Sequence, residues 1–253
     1  MKTSFIAAQH QALLAQHKLD TFEAIWDLKV DWFEEPNERR GGWSGVGRLQ
    51  LGDGENSSTF FVKKQQNHGR RTLIHPFKGE PTFRREFERL QFLNQHDFAA
   101  PKVVFYAESN VGGKQRAILV TENLTGFVPL DTLGESWKKS ISHAQQVRLI
   151  NKVALELRRF HDLGLVHRAL YPKHIFVKKA DVQPEVALID LEKARFTPRF
   201  LSRAAFDLAA LNRHAEGWRA TQKMAFFLRY MHIKKLDIAA KRLCRTIIKR
   251  ASR

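Results

Sequence analysis

His167-Arg168-Ala169-Leu170-Tyr171-Pro172-Lys173-His174 is the stretch whose reading decides the fold. It runs into the apolar triplet Ile175-Phe176-Val177, and a second apolar run, Val186-Ala187-Leu188-Ile189, ends on Asp190. These runs read as two short strands flanking a turn. One begins beside a histidine and the other ends on a carboxylate. A carboxylate at the end of a buried strand is costly unless it meets a cation. A metal bridging phosphate oxygens would be such a cation.

Upstream of this stretch, Val147 to His161 carries Ile150, Val153, Leu157 and Phe160 at helical spacing. Downstream the chain is helical. In Phe206-Asp207-Leu208 the acid is placed either to anchor the loop from a later helix or to sit as a plain helix-terminal acid. His167 and Arg168 read as structural residues of the loop.

The first half is β-rich. Residues 1–35 predict a helix and then a strand. Arg39 to Arg48, with Gly41, Gly42, Gly45 and Gly47, reads as a glycine-rich turn leading into the strand Leu49-Gln50-Leu51. Gly52 to Asn56 reads as a hairpin turn and Thr59 to Lys63 as a strand. Gln65 to Pro81 reads as a loop and Thr82 to Asn94 as a helix, with Phe83, Phe87, Leu90 and Leu93 on one face. Val103–Tyr106 and Ala117–Glu122 complete a set of five strands, separated by the turn Asn110–Gly113. The expected boundary lies between Asn123 and Pro129, dividing a β-rich part, 1–122, from a helical part, 123–253.

Phosphoryl transfer needs cations around the phosphates, bound metal and a positioned acceptor. Glycines let backbone N–H groups approach phosphate closely, although an ordinary hairpin turn also explains Gly41, Gly42 and Gly45. Lys63 closes Phe60-Phe61-Val62-Lys63 at a strand end, where a lysine can reach phosphate; Lys64, by strand alternation, faces the other way. Its carboxylate partner should come from the next helix. Glu86 is the better candidate and Glu88 the second; two apart, they cannot share a helix face.

Composition narrows the class. The chain has 253 residues, 43% of them hydrophobic, enough for one large domain or a small two-lobed one. Its single cysteine, Cys244, forms no intrachain disulfide, which fits a reducing compartment. The first ten residues lack the apolar core of a secretory signal. The net charge of +17 points to a polyanionic partner: nucleic acid, an anionic lipid surface or a phosphorylated glycolipid.

Taken together, Arg-Gly-Gly-Trp-Ser-Gly at 40–45, Lys63, Arg-Glu-Phe at 85–87, the stretch 167–176 and Ile-Asp-Leu-Glu-Lys at 189–193 resemble the lipopolysaccharide core kinases of Gram-negative bacteria. These form the WaaP/InaA-like branch of the protein-kinase-like superfamily, and the likeness is greatest to InaA-like members. The loop is similar to the kinase pattern H-R-D-L-x-x-x-N with a metal-binding Asp downstream. The resemblance implies an α+β, bilobal protein-kinase-like fold with a small antiparallel-sheet lobe and a mainly helical lobe. It also implies a cytoplasmic protein using ATP and Mg²⁺, with inner-core sugar hydroxyls as acceptors. Carried over, Lys63 would pair with Glu86, Asp190 would hold metal, and His174 would take the second metal position. Glu122-Asn123-Leu124 would form the hinge beside adenine.

Ala169 departs from that pattern, since it stands where a kinase has its catalytic Asp. Two readings follow. In one the protein is a kinase helped by His174, Tyr171 or Glu192. In the other it is a nucleotide-binding pseudokinase that regulates or scaffolds. The basic tail adds a further expectation. Residues 219–253 hold eleven Lys and Arg against the single acid Asp237. Ile233, Leu236, Ala240, Leu243 and Ile247 recur at helical spacing. This stripe would pack on the protein, and the basic face would meet water or the anionic inner-membrane surface. No recognition motif supports specific nucleic-acid binding.

Overall fold

The computed structural model describes residues 4–39, 41–52, 57–70, 79–133, 142–178, 183–215 and 217–252. The expected turn at 53–56 and the middle of the expected loop, 71–78, lie outside the described residues. The chain divides into two compact units, residues 1–97 with 101–124, and residues 98–100 with 125–253.

The first unit is built on a six-stranded antiparallel sheet. Its elements are β1 (Ser4–Ile6), α1 (Gln11–Gln16), α2 (Phe22–Asp27), β2 (Asp31–Arg39), β3 (Gly42–Leu51) and β4 (Ser58–Gln66). The short pair β5 (Gly69–Arg70) and β6 (Glu80–Pro81) follows, then α3 (Thr82–Gln95), β7 (Val103–Val111) and β8 (Lys114–Glu122). The sheet order is β1-β7-β8-β4-β3-β2. Side chains alternate along β4. Phe60 and Val62 enter a core with Leu14, Leu19 and Ile25 from the segment containing α1 and α2. The opposite face of the sheet carries Lys63. On α3, Phe83, Leu90 and Leu93 are buried, and the helix packs on β7 and β8.

Two expectations for this unit need correction. The sheet gains a strand, β1, which pairs with β7. The predicted glycine-rich turn is mostly strand: Gly42, Gly45 and Gly47 lie within β3, and only residues 40–41 separate β2 from β3. The glycines serve close approach rather than chain reversal. A Cβ on Gly42 would lie 2.3 Å from the Asn67 carbonyl oxygen, and one on Gly45 would lie 2.8 Å from the Trp32 ring. Gly41, with φ +75°, makes the turn.

The second unit begins with β9 (Val128–Pro129), α4 (His143–Asp162) and β10 (Leu165–Val166). Next come β11 (Ile175–Lys178), β12 (Glu185–Leu188) and β13 (Arg195–Phe196). The helices α5 (Phe200–His214), α6 (Ala220–Tyr230) and α7 (Ile238–Ala251) end it. β9, β11 and β12 form a three-stranded sheet, and β10 pairs with β13. α4 starts with a capping box between Ser142 and Gln145 and buries Ile150, Val153, Leu157 and Phe160.

The C-terminal stripe is shorter than its spacing predicts. Asp237 caps α7 by accepting from Ala240 N at 2.7 Å, so Ile233 and Leu236 fall in the preceding connection. Ala240, Leu243 and Ile247 are buried, and α7 packs on α5. Arg213 of α5 donates to the carbonyls of Arg250 and Ala251 at the end of α7. Among the described residues no helix is long and apolar enough to cross a membrane.

Lys64 is buried on the α2 side of β4, where its ammonium donates to the carbonyls of Trp26 at 2.8 Å and Leu28 at 2.6 Å. It closes the C-terminal end of α2. Burial lowers its pKa to about 8, against 10.5 when exposed. Between these values the unfolded chain holds a proton that the folded chain releases, so this group's contribution to stability rises with pH across that window. A ¹⁵Nζ NMR titration should place the Lys64 midpoint near 8. In the Lys64→Met variant the rise in stability across the window should be smaller than in the parent protein.

Candidate nucleotide and metal site

The loop 167–174 is shaped by one carboxylate. Asp207 on α5 is fully buried. It accepts from His167 N at 2.6 Å, Arg168 N at 2.8 Å and His161 Nε2 at 3.1 Å. A carboxylate only accepts, so His161 carries its proton on Nε2 toward Asp207. Burial raises the pKa of Tyr230, keeping it a phenol. Its hydroxyl lies 2.6 Å from His161 Nδ1 and donates to it when that ring is neutral. This buried Tyr–His–Asp chain holds Arg168 at φ +68°, a left-handed conformation that an arginine rarely adopts unaided. The anchoring role weighed for Asp207 is thus formed. His161 and Tyr230 were not foreseen; a histidine four residues after Leu157 on an apolar helix stripe was the available signal.

Antiparallel pairing brings the next two residues together. Ile175 on β11 lies opposite Leu188 on β12. His174, just before β11, therefore faces the chain just past β12. Ile189 N donates to the His174 carbonyl at 3.1 Å. Asp190 then turns with φ 58° and ψ 57°. Its Oδ2 lies 3.4 Å from His174 Nε2. His174 Nδ1 lies 2.7 Å from the Ala169 carbonyl and donates to it. A neutral His174 thus points its Nε2 lone pair at a carboxylate. That contact is repulsive unless a proton or a cation intervenes. Donation of the other ring nitrogen to a carbonyl is the habit of metal-bound histidines.

Among the described residues no cluster of three or more His, Cys, Asp and Glu is ready to hold a metal unaided. A two-ligand site fits Mg²⁺, which keeps waters and takes oxygen atoms from substrate phosphates. His174 is an unusual Mg²⁺ ligand beside Asp190, since nitrogen is softer than the oxygen an Asn would offer. His167 ties the loop to the end of the second apolar run: its Nε2 donates to the Ile189 carbonyl at 3.0 Å. Burial lowers its pKa and keeps it neutral.

Ala169 is 1% exposed, and its methyl group can accept no proton. Tyr171 places its ring 5.5 Å from that of His174 and 4.8 Å from that of His214. Glu192 is half-buried in the turn after Asp190.

In the first unit Lys63 Nζ donates to Glu86 Oε1 at 2.6 Å. Glu86 is 3% exposed, whereas Glu88 is exposed and lies beside Arg89 at 3.8 Å. Of the two carboxylates weighed, the sheet-facing one meets the lysine. Glu122 ends β8, and its Oε1 lies 2.7 Å from His10 Nε2, an N-terminal partner the sequence did not suggest. Its backbone N–H donates to the Lys102 carbonyl at 2.9 Å. Leu124 is half-buried. Gly42 and Gly45 are accounted for by their sheet neighbours.

A strand lysine paired to a helix glutamate, a loop braced from a later helix, and an Asp just past a short hairpin define a protein-kinase-like fold. Residues 23–230 match the Lipopolysaccharide kinase (Kdo/WaaP) family, and the chain belongs to that family. Protein InaA of Escherichia coli (strain K12) is 32% identical over 200 residues, covering 79% of this chain and 90% of that protein. Myosin light chain kinase A of Dictyostelium discoideum is 24% identical over 151 residues, 55% of this chain and 48% of that one. Among solved structures, WaaP in complex with acyl carrier protein superposes with a TM-score of 0.70 at 21% identity, covering 99% of this chain and 98% of that chain. The fold class expected from the sequence is therefore correct.

Replacing Asp207 by Ala leaves two backbone N–H groups and His161 without their acceptor in a buried site. The variant should lose roughly 3–5 kcal/mol of stability in urea denaturation, with the slope of the transition unchanged. A loss below about 1 kcal/mol would show that the loop does not depend on this carboxylate.

Proposed function

We propose that this chain is an ATP-dependent phosphotransferase acting on a sugar hydroxyl of the lipopolysaccharide inner core. The observation that carries the reading is the Lys63–Glu86 pair at 2.6 Å. A buried carboxylate holds the ammonium in place, so it meets phosphate oxygens without first being ordered. In this reading Lys63 engages the nucleotide phosphates. Asp190 and His174 hold Mg²⁺, which when bound neutralises phosphate charge. His167 keeps the loop in shape, and Glu122 and Leu124 flank the adenine. Gly41 is the glycine best able to bring backbone toward phosphate. Family membership supports the lipopolysaccharide acceptor.

Phosphoryl transfer passes through a loose transition state in which positioning and charge stabilisation outweigh proton removal. The alanine at 169 therefore costs general-base help of about 10²–10⁴ in rate without removing the other contributions. A second reading rests on the same residue. Because the base position holds a buried methyl group, the chain would bind nucleotide and regulate or scaffold without turnover.

Incubation with γ-labelled ATP, Mg²⁺ and deacylated core oligosaccharide decides between them. The phosphotransferase reading expects label in the oligosaccharide, abolished by Asp190→Asn. Saturable ATP binding with no label in any core acceptor would establish the second reading instead.

Attachment to the cytoplasmic face of the inner membrane is part of the proposal. The outward side of α7 carries Lys241, Arg242, Arg245, Lys249 and Arg250, with Ile238 71% and Ile248 58% exposed. Because its apolar stripe is covered by α5, contact with lipid would be mainly electrostatic. The protein should co-sediment with vesicles containing phosphatidylglycerol in low salt and leave them as salt rises. Equal retention on neutral vesicles would contradict this mode.

A further inference from the structure

The N-terminus of α3 has no cap of its own. Pro81 stands at the cap position and offers no side-chain acceptor, so the first N–H groups of the helix need an outside partner. Gln65 of β4 provides it. This side chain is 1% exposed. Its Oε1 accepts from Phe83 N at 3.0 Å and from Thr82 Oγ1 at 3.0 Å. Its Nε2 donates to the His68 carbonyl at 2.6 Å, which fixes the orientation of the amide.

Gln65 lies two residues beyond Lys63 on the same face of β4. Its target, Phe83, lies three residues before Glu86, on the same side of α3. The strand thus grips the helix at two points about one turn apart, once through the amide and once through the ion pair. Two points fix rotation as well as distance. A further hold comes from β7: Arg84 Nε and Nη2 donate to the two carboxylate oxygens of Glu108, and the Tyr106 hydroxyl also donates to Glu108. The Phe87 ring stacks on Tyr106 at 4.3 Å.

We infer that Gln65 is a positioning residue for the Lys63–Glu86 pair. Its remote cap sets the register of α3, so Glu86 meets Lys63 before any ligand arrives. The pair is built closed by the strand that bears the lysine and needs no separate activating event. The inference deepens the proposed nucleotide role of Lys63 and rests on it for its consequence in binding. The positioning itself can be read without nucleotide.

The test uses the full chain with Gln65→Leu, Gln65→Asn and Gln65→Glu, and Glu86→Gln as reference. In nucleotide-free protein, the ¹⁵Nζ–H signal of Lys63 at low temperature reports its hydrogen bond to Glu86. It should be visible in the parent protein, lost in Glu86→Gln, lost or shifted in Gln65→Leu, and shifted less in Gln65→Glu, which keeps the cap oxygens but loses the donor to the His68 carbonyl. Calorimetric titration with ATP and Mg²⁺ should show Kd raised roughly tenfold in Gln65→Leu. Adding Glu86→Gln to that variant should cost little more, because both act through one pair. Should Gln65→Leu fail to fold, Gln65→Asn, one methylene too short for Phe83 N, is read in its place. A Lys63 signal unchanged in the variants, with only the melting temperature lowered, would overturn the inference. An intact pattern of Lys63 signals without ATP binding by the parent protein would leave the positioning standing and reject the nucleotide reading.

Discussion

A fully buried carboxylate must be surrounded by donors or it will not stay charged, and Asp207 meets that demand with two consecutive backbone N–H groups and a histidine. Directly after these two donors the chain turns through the left-handed Arg168. From there the loop has little freedom. Its Ala169 carbonyl faces inward to accept from His174, whose other ring nitrogen is left beside Asp190. The arrangement of the second unit's chemistry is thus a consequence of satisfying one buried charge.

The first unit obeys a different constraint, the two-residue period of a strand. Lys63 and Lys64 are neighbours in sequence and work on opposite faces of β4. Lys64 spends its charge on carbonyls at the end of α2. Lys63 is held by a carboxylate on α3. A slip of one residue in the pairing of β4 with β8 would exchange the two roles. The unbroken register from Phe60–Glu122 to Gln66–Arg116 prevents it.

Much of this was legible in the sequence because it is local. Strand alternation separated Lys63 from Lys64, helical spacing put Glu86 and Glu88 on different faces, and the apolar runs 175–177 and 186–189 read as the two strands whose pairing brings His174 beside Asp190. The failures are non-local. Ser4–Ile6 is too short to show a period, and it becomes a strand only because β7 offers an open edge. The glycines of 42–47 have turn composition, but their smallness answers to Asn67, Trp32 and Val30, which no local pattern reveals. His10 finds Glu122 across more than a hundred residues. The C-terminal stripe was misjudged for a local reason: Asp237, three residues before Ala240, marks a helix start that spacing alone overlooks.

Beside the buried methyl group of Ala169, His174 Nε2 and the Asp190 carboxylate lie 3.4 Å apart. On the proposed function this pair holds the metal of a bound nucleotide. NMR with ATP and Mn²⁺ in place of Mg²⁺ tests it most directly, because the paramagnetic ion erases signals close to it. The His174 ring signals should broaden beyond detection when Mn²⁺ and ATP are present together, and Asp190→Asn should restore them. Nucleotide binding with sharp His174 signals throughout would contradict it.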